Sequence, residues 1–404
     1  MSFEHYIEMG RKRLRCGYTT GTCAAAAAQA CGTALLGGDF PTYLRVETPA
    51  GIAVDVEAEA FSRGTDEQGR PWAECGVRKD GGDDADATNG MLIMVRVALA
   101  DEPGVTIEAG PGVGRVTRPG LDQPVGAAAV NSVPRRMIAD ELGRVAQGKA
   151  WQGGFAVTVW APQGQQVALK TFNPKLGVEG GISILGTSGI VRPMSEEALV
   201  ESIQLELRVR RQEGLDSLVL VPGNYGQDWA CEQEGTDPTH IVSCSNFLGE
   251  ALDCAASLGF GSLVLVGHMG KLAKVAAGVM NTHSRVADCR REVFCTHAAL
   301  AGADRQTLER LMRTGTTDEA LEVLAGRQVP EDAEDTRAVE TSPLLADTLA
   351  RITDAIAGHV RERGKPMRCE VVVFSKAWGE LGRTQGAAEL LARHKAACGK
   401  DGMQ

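Results

Sequence analysis

The pattern of apolar and polar residues changes near the middle of the chain. From about Pro41 to Phe172, short runs alternate between apolar and polar residues and are separated by Gly, Pro and Asp. Alternation with a period of two predicts half-buried strands. These strands are expected at Tyr43–Glu47, Ile52–Glu59, Met91–Val97, Val105–Glu108 and Phe155–Trp160. With an Ala-rich helix over Thr22–Leu36 and a second helix over Pro134–Val145, the first part is predicted to be α+β.

From about Gly180 onward the apolar residues form short continuous runs, each followed by Gly, Pro or Ser. Such runs suit strands that are buried on both faces, as in a parallel sheet. The runs are Ile182–Leu185, Ser217–Val221, Ser262–Val266 and Glu370–Phe374. Helices are expected between them at Ser195–Gln212, Asn246–Leu258 and Leu272–Met280, and over most of 303–363 apart from a break at Pro330–Asp335. This alternation predicts a doubly wound, mostly parallel Rossmann-like domain.

A chain of 404 residues with 43% apolar content is long enough for two cores. We therefore predict an α+β domain over residues 1–178 and a Rossmann-like α/β domain over residues 179–404. The net charge of −10 argues against a general nucleic-acid binder but permits a local basic pocket. Eleven scattered Cys without a C-x-x-C pair, no signal peptide and no membrane span predict a soluble cytoplasmic protein. The oligomeric state stays open, a homo-oligomer included.

Three loops that follow the apolar runs carry both glycine and polar side chains. In an open parallel sheet, ligands bind beyond the carboxyl ends of the strands. The loops are Gly186-Thr187-Ser188-Gly189, Pro222-Gly223-Asn224-Tyr225-Gly226-Gln227-Asp228 and Gly267-His268-Met269-Gly270-Lys271. Their polar content favours a ligand site over glycines that merely end strands. None of them, nor Gly110–Gly114, matches a P-loop or a dinucleotide fingerprint.

Three further polar segments are candidates for chemistry. Hydroxyls and glycines in Arg15–Ala24 precede the Ala-rich helix, and they form either an anion-binding helix start or an ordinary cap. Four carboxylates in Lys79–Asp86 form a polar active-site loop, a solvated turn or a divalent-metal loop, and the absence of the EF-hand spacing counts against the last. The His in Asn281–Arg285 is either structural or catalytic. We predict no metal site.

At these same segments the chain resembles the CbiD family of cobalt-precorrin-5B C(1)-methyltransferases, and the resemblance covers nearly the whole chain. Nine ordered pieces carry it, each short but together specific. They are Arg15–Ala24, Lys79–Asp84, Val133–Arg135, Lys170–Pro174, Gly180–Val191, Val221–Gly226, Cys244–Phe247, Val266–Lys271 and Asn281–Asp288. Gly82 and Asn89 depart from the residues expected there.

The resemblance implies transfer of a methyl group from S-adenosylmethionine to C-1 of a ring-contracted cobalt macrocycle. The products would be cobalt-precorrin-6A and S-adenosylhomocysteine, in the anaerobic branch of cobalamin biosynthesis. Cobalt would enter only as part of this small-molecule corrinoid, which carries many carboxylates. The resemblance supplies no catalytic residues.

Methyl transfer from a sulfonium is an in-line displacement, so the enzyme mainly has to position donor and acceptor. If a proton must leave the macrocycle, the candidate catalytic groups are His268, His283 and Asp83. The methyl donor is expected at Gly186, Thr187, Ser188, Gly189, Asn224, Tyr225 and Gly267. The substrate, between the two domains, is expected at Arg15, Thr19, Thr20, Thr22, Lys79, Asp80, Asp84, Arg135, Lys271, Ser284 and Arg285.

Two alternative functions stay open at this point. A nicotinamide-dependent reductase of the same pathway suits a doubly wound domain, although the missing glycine fingerprint counts against it. A non-catalytic corrinoid or metal carrier would bind the macrocycle without transferring a methyl group.

Overall fold

The computed structural model of the chain describes residues 3–9, 12–326 and 342–398. The chain divides between Glu196 and Glu197 into two compact units. We call residues 1–196 the N-terminal unit and residues 197–404 the C-terminal unit. The predicted break at Pro330–Asp335 lies outside the described residues. No helix in the described ranges is both long and apolar enough to cross a bilayer.

A six-stranded sheet forms the centre of the N-terminal unit. The strands of this unit are β1 (Tyr6–Met9), β2 (Lys12–Arg15), β3 (Gly17–Tyr18), β4 (Tyr43–Glu47), β5 (Ala53–Thr65), β6 (Pro71–Arg78), β7 (Leu92–Ala100), β8 (Val105–Ala109), β9 (Gly112–Val113), β10 (Arg115–Val116), β11 (Gly154–Trp160), β12 (Val178–Glu179), β13 (Gly181–Ile182) and β14 (Ile190–Val191). The sheet order is β4-β5-β6-β7-β11-β8, and only the β11–β8 pair is parallel. The five predicted strands are confirmed, and β6 is an additional one.

The helices of the N-terminal unit are α1 (Thr20–Leu35), α2 (Ser132–Gly148), α3 (Gly164–Ala168) and α4 (Asn173–Leu176). Both predicted helices are confirmed with slightly different ends. Helix α1 packs against β6, β7 and α2. Its side chains from Cys23 to Ala28 are completely buried. Because they are small, the helix backbone approaches the sheet closely and the interior stays densely packed.

Helix α2 buries one carboxyl group. Glu141 is 1% exposed, its Oε1 accepts a hydrogen bond from Arg144 Nη2 at 2.6 Å, and its Oε2 has no partner among the described residues. Burial raises the pKa of Glu141 to about 7, with Arg144 opposing the shift and Asp140 adding to it. The folded state therefore holds a proton on Glu141 that the unfolded chain releases at a lower pH.

We expect Glu141→Gln to raise the free energy of unfolding by about 2–3 kcal/mol at pH 8 and to change it little near pH 4. The wild-type protein loses stability as the pH rises from about 4.5 to about 7, because the buried carboxyl must ionise, whereas the amide cannot. Chemical denaturation across this pH range measures the difference. Glu57→Gln, at an exposed position of β5, is the matched control. Parallel pH profiles for Glu141→Gln and the wild type would contradict this prediction.

The C-terminal unit contains a five-stranded sheet with the order β16-β15-β17-β18-β19. Its strands are β15 (Ser217–Val221), β16 (Ile241–Ser243), β17 (Ser262–His268), β18 (Arg368–Ser375) and β19 (Gly379–Arg383). The first four in the sheet order are parallel, and β19 is antiparallel to β18. The helices are α5 (Glu196–Gln212), α6 (Asn224–Glu232), α7 (Leu248–Ser257), α8 (Met269–Ala276), α9 (Arg290–Leu300), α10 (Arg305–Leu311), α11 (Thr317–Leu324), α12 (Pro343–Arg363) and α13 (Ala387–Cys398).

Both faces of this sheet are covered by helices. On one face, Leu218 and Leu220 share a core with residues of α7, α8 and α12. On the other face, Val219 and Val221 share a core with residues of α6 and α13. Successive side chains of a strand point to opposite faces, so a strand covered on both sides needs a continuous apolar run. This requirement explains why β15, β17 and β18 are predicted correctly.

The prediction that Ile182–Leu185 forms a strand of this sheet is wrong. Gly181 and Ile182 form β13, which pairs with β9 of the N-terminal unit, and Ile184 bridges to Val130. The same connection explains why the division of the chain lies after residue 196 and not at the predicted boundary of 178/179. An apolar run shows that a strand is buried but does not show which sheet buries it.

Candidate functional site

The strand order of the C-terminal sheet reverses at β15. The chain moves from β15 to β16 on one side, then crosses to β17 on the other side of β15. In parallel sheets, a crevice for ligands opens outside the carboxyl ends of the strands at such a reversal. We call the residues gathered there the carboxyl-edge site. They are Gly223, Asn224, Tyr225, Ser245, Asn246, His268, Lys271, Lys274, Thr282, His283, Asp318, Ser375 and Lys376.

The loop after β15 begins with a glycine that no other residue replaces easily. Gly223 has φ +110° and ψ −178°, a conformation that is nearly restricted to glycine. It precedes helix α6 without a side-chain cap. The carbonyl of Gly223 accepts the N–H groups of Gly226 and Gln227 at 3.1 and 3.3 Å. Asn224 and Tyr225 follow it and are exposed, so both side chains are available to a ligand.

The junction between β17 and α8 is held by its own histidine. His268 caps helix α8, and its Nδ1 accepts the backbone N–H of Gly270 at 3.1 Å. Burial lowers the pKa of His268, with Lys376 adding to the shift and Asp318 opposing it. The imidazole is therefore neutral at pH 7, and its hydrogen resides on Nε2 because Nδ1 is an acceptor. His268 thus offers a ligand a hydrogen-bond donor and has no free lone pair to take up a proton.

Two lysines of α8 lie on the β16 side of the crevice. Lys271 Nζ donates to Ser245 O at 3.2 Å, and Lys274 Nζ donates to Thr282 O at 2.9 Å. Lys274 is only 4% exposed. Burial lowers the pKa of Lys271, and the nearby Lys274 contributes. Neither ammonium forms an ion pair among the described residues. Lys271 is half-buried and its positive charge is available to an anion, whereas Lys274 is buried, and its charge adds to the effect of Arg290 in lowering the pKa of Asp288.

The segment Asn281–Arg285 packs beside the carboxyl end of β16. Thr282 N donates to Asn246 O at 2.9 Å, and its Oγ1 donates to Asn246 Oδ1 at 3.2 Å. His283 Nδ1 accepts the backbone N–H of Arg285 at 3.0 Å, so this imidazole also carries its neutral-state hydrogen on Nε2. Ser284 and Arg285 are exposed beside it.

On the β18 side, a lysine ammonium lies over the face of an aromatic ring. Lys376 Nζ lies 3.6 Å from the centroid of the Tyr225 ring. The rings of Tyr225 and His268 are 6.1 Å apart, and His268 meets Phe374 edge to face at 5.6 Å. Asp318, in the first turn of α11, accepts a hydrogen bond from Ser375 Oγ at 2.7 Å.

Sequence reasoning identified Asn224, Tyr225, His268, Lys271 and His283, and the structure brings them to one edge. It missed three charged residues of the same edge. Lys274 lies one helical turn after Lys271, and Lys376 directly follows the last parallel strand, so both had a positional signal. Asp318 had none. Gly267 lies inside β17, where a Cβ would come within 3.0 Å of Leu272 and Pro222, which is a packing requirement.

The loop Gly186–Gly189 follows β13 of the N-terminal unit and not a strand of the C-terminal sheet, so the strand-end argument for placing it beside Asn224 and Tyr225 is wrong, and its role in donor binding stays a prediction. It covers the start of helix α1 in the N-terminal unit. Thr19 caps this helix, accepting Thr22 N at 3.3 Å, and Thr22 Oγ1 donates to Gly189 O at 2.7 Å. Ser188 bonds within its own turn through Ile190, whereas Thr187 is exposed.

The hydroxyls predicted to bind substrate at this helix start are also engaged within the protein. Thr20 Oγ1 donates to Leu185 O at 3.2 Å and accepts Leu185 N at 3.0 Å. Thr19, Thr20 and Thr22 are all buried. The structure therefore shows an internal cap at this position.

The charged candidates of the N-terminal unit are paired with one another. Arg15 forms a two-pronged ion pair with Asp80, and its backbone N donates to Asp83 Oδ2 at 2.7 Å. Lys79, which is buried, pairs with Asp86. Asp84 Oδ1 accepts the backbone N–H of Met194 at 3.0 Å.

Arg135 directs its guanidinium to three backbone carbonyls, of which Val130 O at 2.7 Å is the nearest. The described residues contain no group of three or more His, Cys, Asp or Glu placed to hold a metal ion. The predicted substrate role of these N-terminal charges, and the catalytic role of Asp83, stay predictions.

Comparison with known proteins identifies the family. The sequence model of CbiD matches residues 7–193, and that of the CbiD C-terminal domain matches residues 281–385. A protein of Ruminiclostridium cellulolyticum named cobalt-precorrin-5B C(1)-methyltransferase is 41% identical over 96% of this chain and 97% of its own length. One of the same name from Thermoanaerobacter sp. is 47% identical over 80% of this chain and 85% of its own.

Among solved structures, the cobalamin biosynthesis protein CbiD of Archaeoglobus fulgidus is 29% identical, covering 70% of this chain and 86% of its own, with a TM-score of 0.37. Both family models and the named relatives indicate the same family. The chain belongs to the CbiD family.

Proposed function

We propose that this protein transfers the methyl group of S-adenosylmethionine to C-1 of cobalt-precorrin-5B, giving cobalt-precorrin-6A in cobalamin biosynthesis. Membership of the CbiD family and the shared name of its relatives support the reaction. The structural observation behind it is the half-buried ammonium of Lys271, which has no carboxylate partner among the described residues of a chain with net charge −10. A macrocycle with many carboxylate arms supplies the missing anion.

The doubly covered parallel sheet works, in this proposal, as a Rossmann-like platform that holds the donor at Gly223–Tyr225 and His268. When bound, S-adenosylmethionine supplies an electrophilic methyl group, whose C–S bond breaks as an electron pair of the conjugated ring forms the new C–C bond. The protein then needs no nucleophile of its own. Its residues have to align donor and acceptor, and positioning of this kind supplies up to about 7–11 kcal/mol of a barrier. Cobalt takes part only as a component of the substrate.

The two histidines act here as hydrogen-bond donors, His268 to the methyl donor and His283 to a carboxylate arm of the macrocycle. His268 and His283 both use Nδ1 to accept a backbone N–H, which leaves Nε2–H pointing away from that bond. An imidazole whose Nδ1 accepts a backbone N–H presents only its Nε2–H to a ligand, so it binds anions and does not remove protons. The exposed guanidinium of Arg285 adds a further cation on the same segment.

Incubation of the full chain with methyl-labelled S-adenosylmethionine and cobalt-precorrin-5B tests the proposal. Mass spectrometry is expected to show a product that has gained one labelled methyl group, and carbon NMR is expected to place it at C-1. Unlabelled macrocycle recovered in complex with the protein would indicate a carrier. A product formed only with a nicotinamide cofactor would indicate a reductase. Either result would overturn the proposed reaction.

Lys271→Met is expected to raise the KM for the macrocycle by about 10-fold or more, since a charge-assisted hydrogen bond contributes about 1.5–3 kcal/mol. The KM for S-adenosylmethionine should stay close to the wild-type value. Added salt should weaken macrocycle binding less in the variant than in the wild type, because one screened contact is gone. Lys365→Met, an exposed lysine of the same unit, is the control and should change neither constant. Equal effects of both variants would argue against a carboxylate contact at Lys271.

A further inference from the structure

The ring of Tyr225 is an aromatic surface left open at the carboxyl-edge site. Tyr225 is 54% exposed although it stands at the start of α6, directly after a buried strand. Its neighbours are fixed. The His268 ring, 6.1 Å away, is held by its hydrogen bond to Gly270 and by its edge-to-face contact with Phe374. Tyr225 therefore presents its ring at a defined position where the ends of β15, β17 and β18 meet.

This ring already binds a positive charge. The Lys376 ammonium lies 3.6 Å from the ring centroid. The face of an aromatic ring is the negative end of its quadrupole and attracts cations by about 0.5–2 kcal/mol. Lys376 is exposed, and it has no ion-pair partner among the residues that the structure describes. Its ammonium can therefore leave the ring for water without breaking a salt bridge within those residues.

We propose that the face of Tyr225 occupied by the Lys376 ammonium is the site that binds the positively charged sulfonium of the methyl donor. This inference rests on the proposed function and adds a specific role for one side chain. The sulfonium and the ammonium are both compact cations, so one replaces the other on the same ring. The neutral His268 ring beside Tyr225 carries no net charge that would repel a second cation, as a protonated imidazole would.

Binding of the sulfonium to the Tyr225 ring also lets the protein distinguish the charged donor from its neutral product. Methyl transfer moves the carbon from sulfur to the macrocycle and leaves sulfur as a neutral thioether. The attraction between ring and sulfur then disappears, while contacts to adenosine and to the amino-acid end are unchanged. Tyr225 is consequently a binding residue that favours S-adenosylmethionine over S-adenosylhomocysteine and eases the release of product.

Calorimetric titration of the full chain with S-adenosylmethionine and with S-adenosylhomocysteine tests this role. Tyr225→Leu is expected to weaken binding of the charged donor by about 2- to 30-fold and to change the affinity for the neutral product much less. Tyr225→Phe keeps the ring and should preserve the wild-type ratio of the two Kd values. Tyr43→Leu, at a similarly exposed tyrosine of β4, is the control and should also preserve it. Because Tyr225 is exposed, all three variants should melt near the wild-type temperature.

Equal weakening of both ligands in Tyr225→Leu would show that the ring serves only as an apolar surface, and this result would overturn the sulfonium assignment. An unchanged ratio with unchanged affinities would overturn it too. A wild-type chain that binds neither compound would instead refute the proposed function, so the two failures are distinguishable.

Discussion

Asp86→Asn is expected to lower the free energy of unfolding by about 3–5 kcal/mol, because it leaves the ammonium of Lys79 buried without a counter-ion. Lys79 is 3% exposed, and Asp86 is its ion-pair partner. Burial works against the charged carboxylate, but Lys79 and the hydrogen bonds from Thr88 outweigh it and lower the pKa of Asp86. The substituted amide still accepts the Thr88 bonds through Oδ1, but its nitrogen replaces the oxygen that accepts from Lys79, so the variant removes both the charge and the hydrogen bond of this pair.

Chemical denaturation of the full chain measures this loss, and two further variants serve as controls. Adding Lys79→Met to Asp86→Asn removes both charges and should restore most of the stability. Asp55→Asn breaks the exposed pair with Arg45 and should cost at most about 1 kcal/mol. An Asp86→Asn loss no larger than that of Asp55→Asn would mean that the Lys79 charge is solvated in the folded protein.

Gly186→Ala is expected to lower the free energy of unfolding by about 2–5 kcal/mol, the sum of backbone strain and overpacking. Gly186 has φ +138°, and a Cβ there would overlap the side chain of Thr19 at the start of α1. The affinity of the folded variant for S-adenosylmethionine should be close to the wild-type value, since the loop caps a helix in the N-terminal unit and is not part of the carboxyl-edge site.

Gly37→Ala is the matched control for Gly186→Ala. Gly37 also has a positive φ, +91°, but a Cβ there meets nothing within 4 Å. Its substitution should therefore show the strain without the overlap, and melting temperatures should fall in the order wild type, Gly37→Ala, Gly186→Ala. A stable Gly186→Ala protein that no longer binds the donor would show that Gly186–Gly189 belongs to the donor site. This result would contradict the proposal that the loop only caps helix α1.

Burial on two faces decided which strands were predictable. β15, β17 and β18 have continuous apolar runs because helices cover both sides of them. β16 has only the three residues Ile241–Ser243, and β19 is an antiparallel strand with the sequence Gly-Glu-Leu-Gly-Arg, so neither has a run to detect. β6 was missed although it lies at the centre of its sheet, because Ala73 and Cys75 on its buried face are small and the apolar Trp72 lies on the other face, which weakens the contrast between the two faces.

The candidate site was predictable where it depends on strand ends and not where it depends on packing. Asn224, Tyr225, His268 and Lys271 follow their strands within a few residues, and the topology of a parallel sheet brings such loops together. Asp318 reaches the same edge only because helix α11 packs there and bonds to Ser375, which no local pattern records.

The tautomers of the two histidines were likewise beyond sequence reasoning. They follow from single backbone contacts, those of Gly270 N with His268 and of Arg285 N with His283. These contacts change the proposed role of both side chains from proton acceptor to hydrogen-bond donor, although the residues themselves were found from the sequence.

A crystal structure of the full chain with S-adenosylmethionine is the most direct test of where the donor binds. We expect the sulfonium against the ring of Tyr225, with the rest of the ligand between the segments around Gly223 and His268. Density for the ligand at Gly186–Gly189, or anywhere away from the carboxyl ends of β15 and β17, would contradict it.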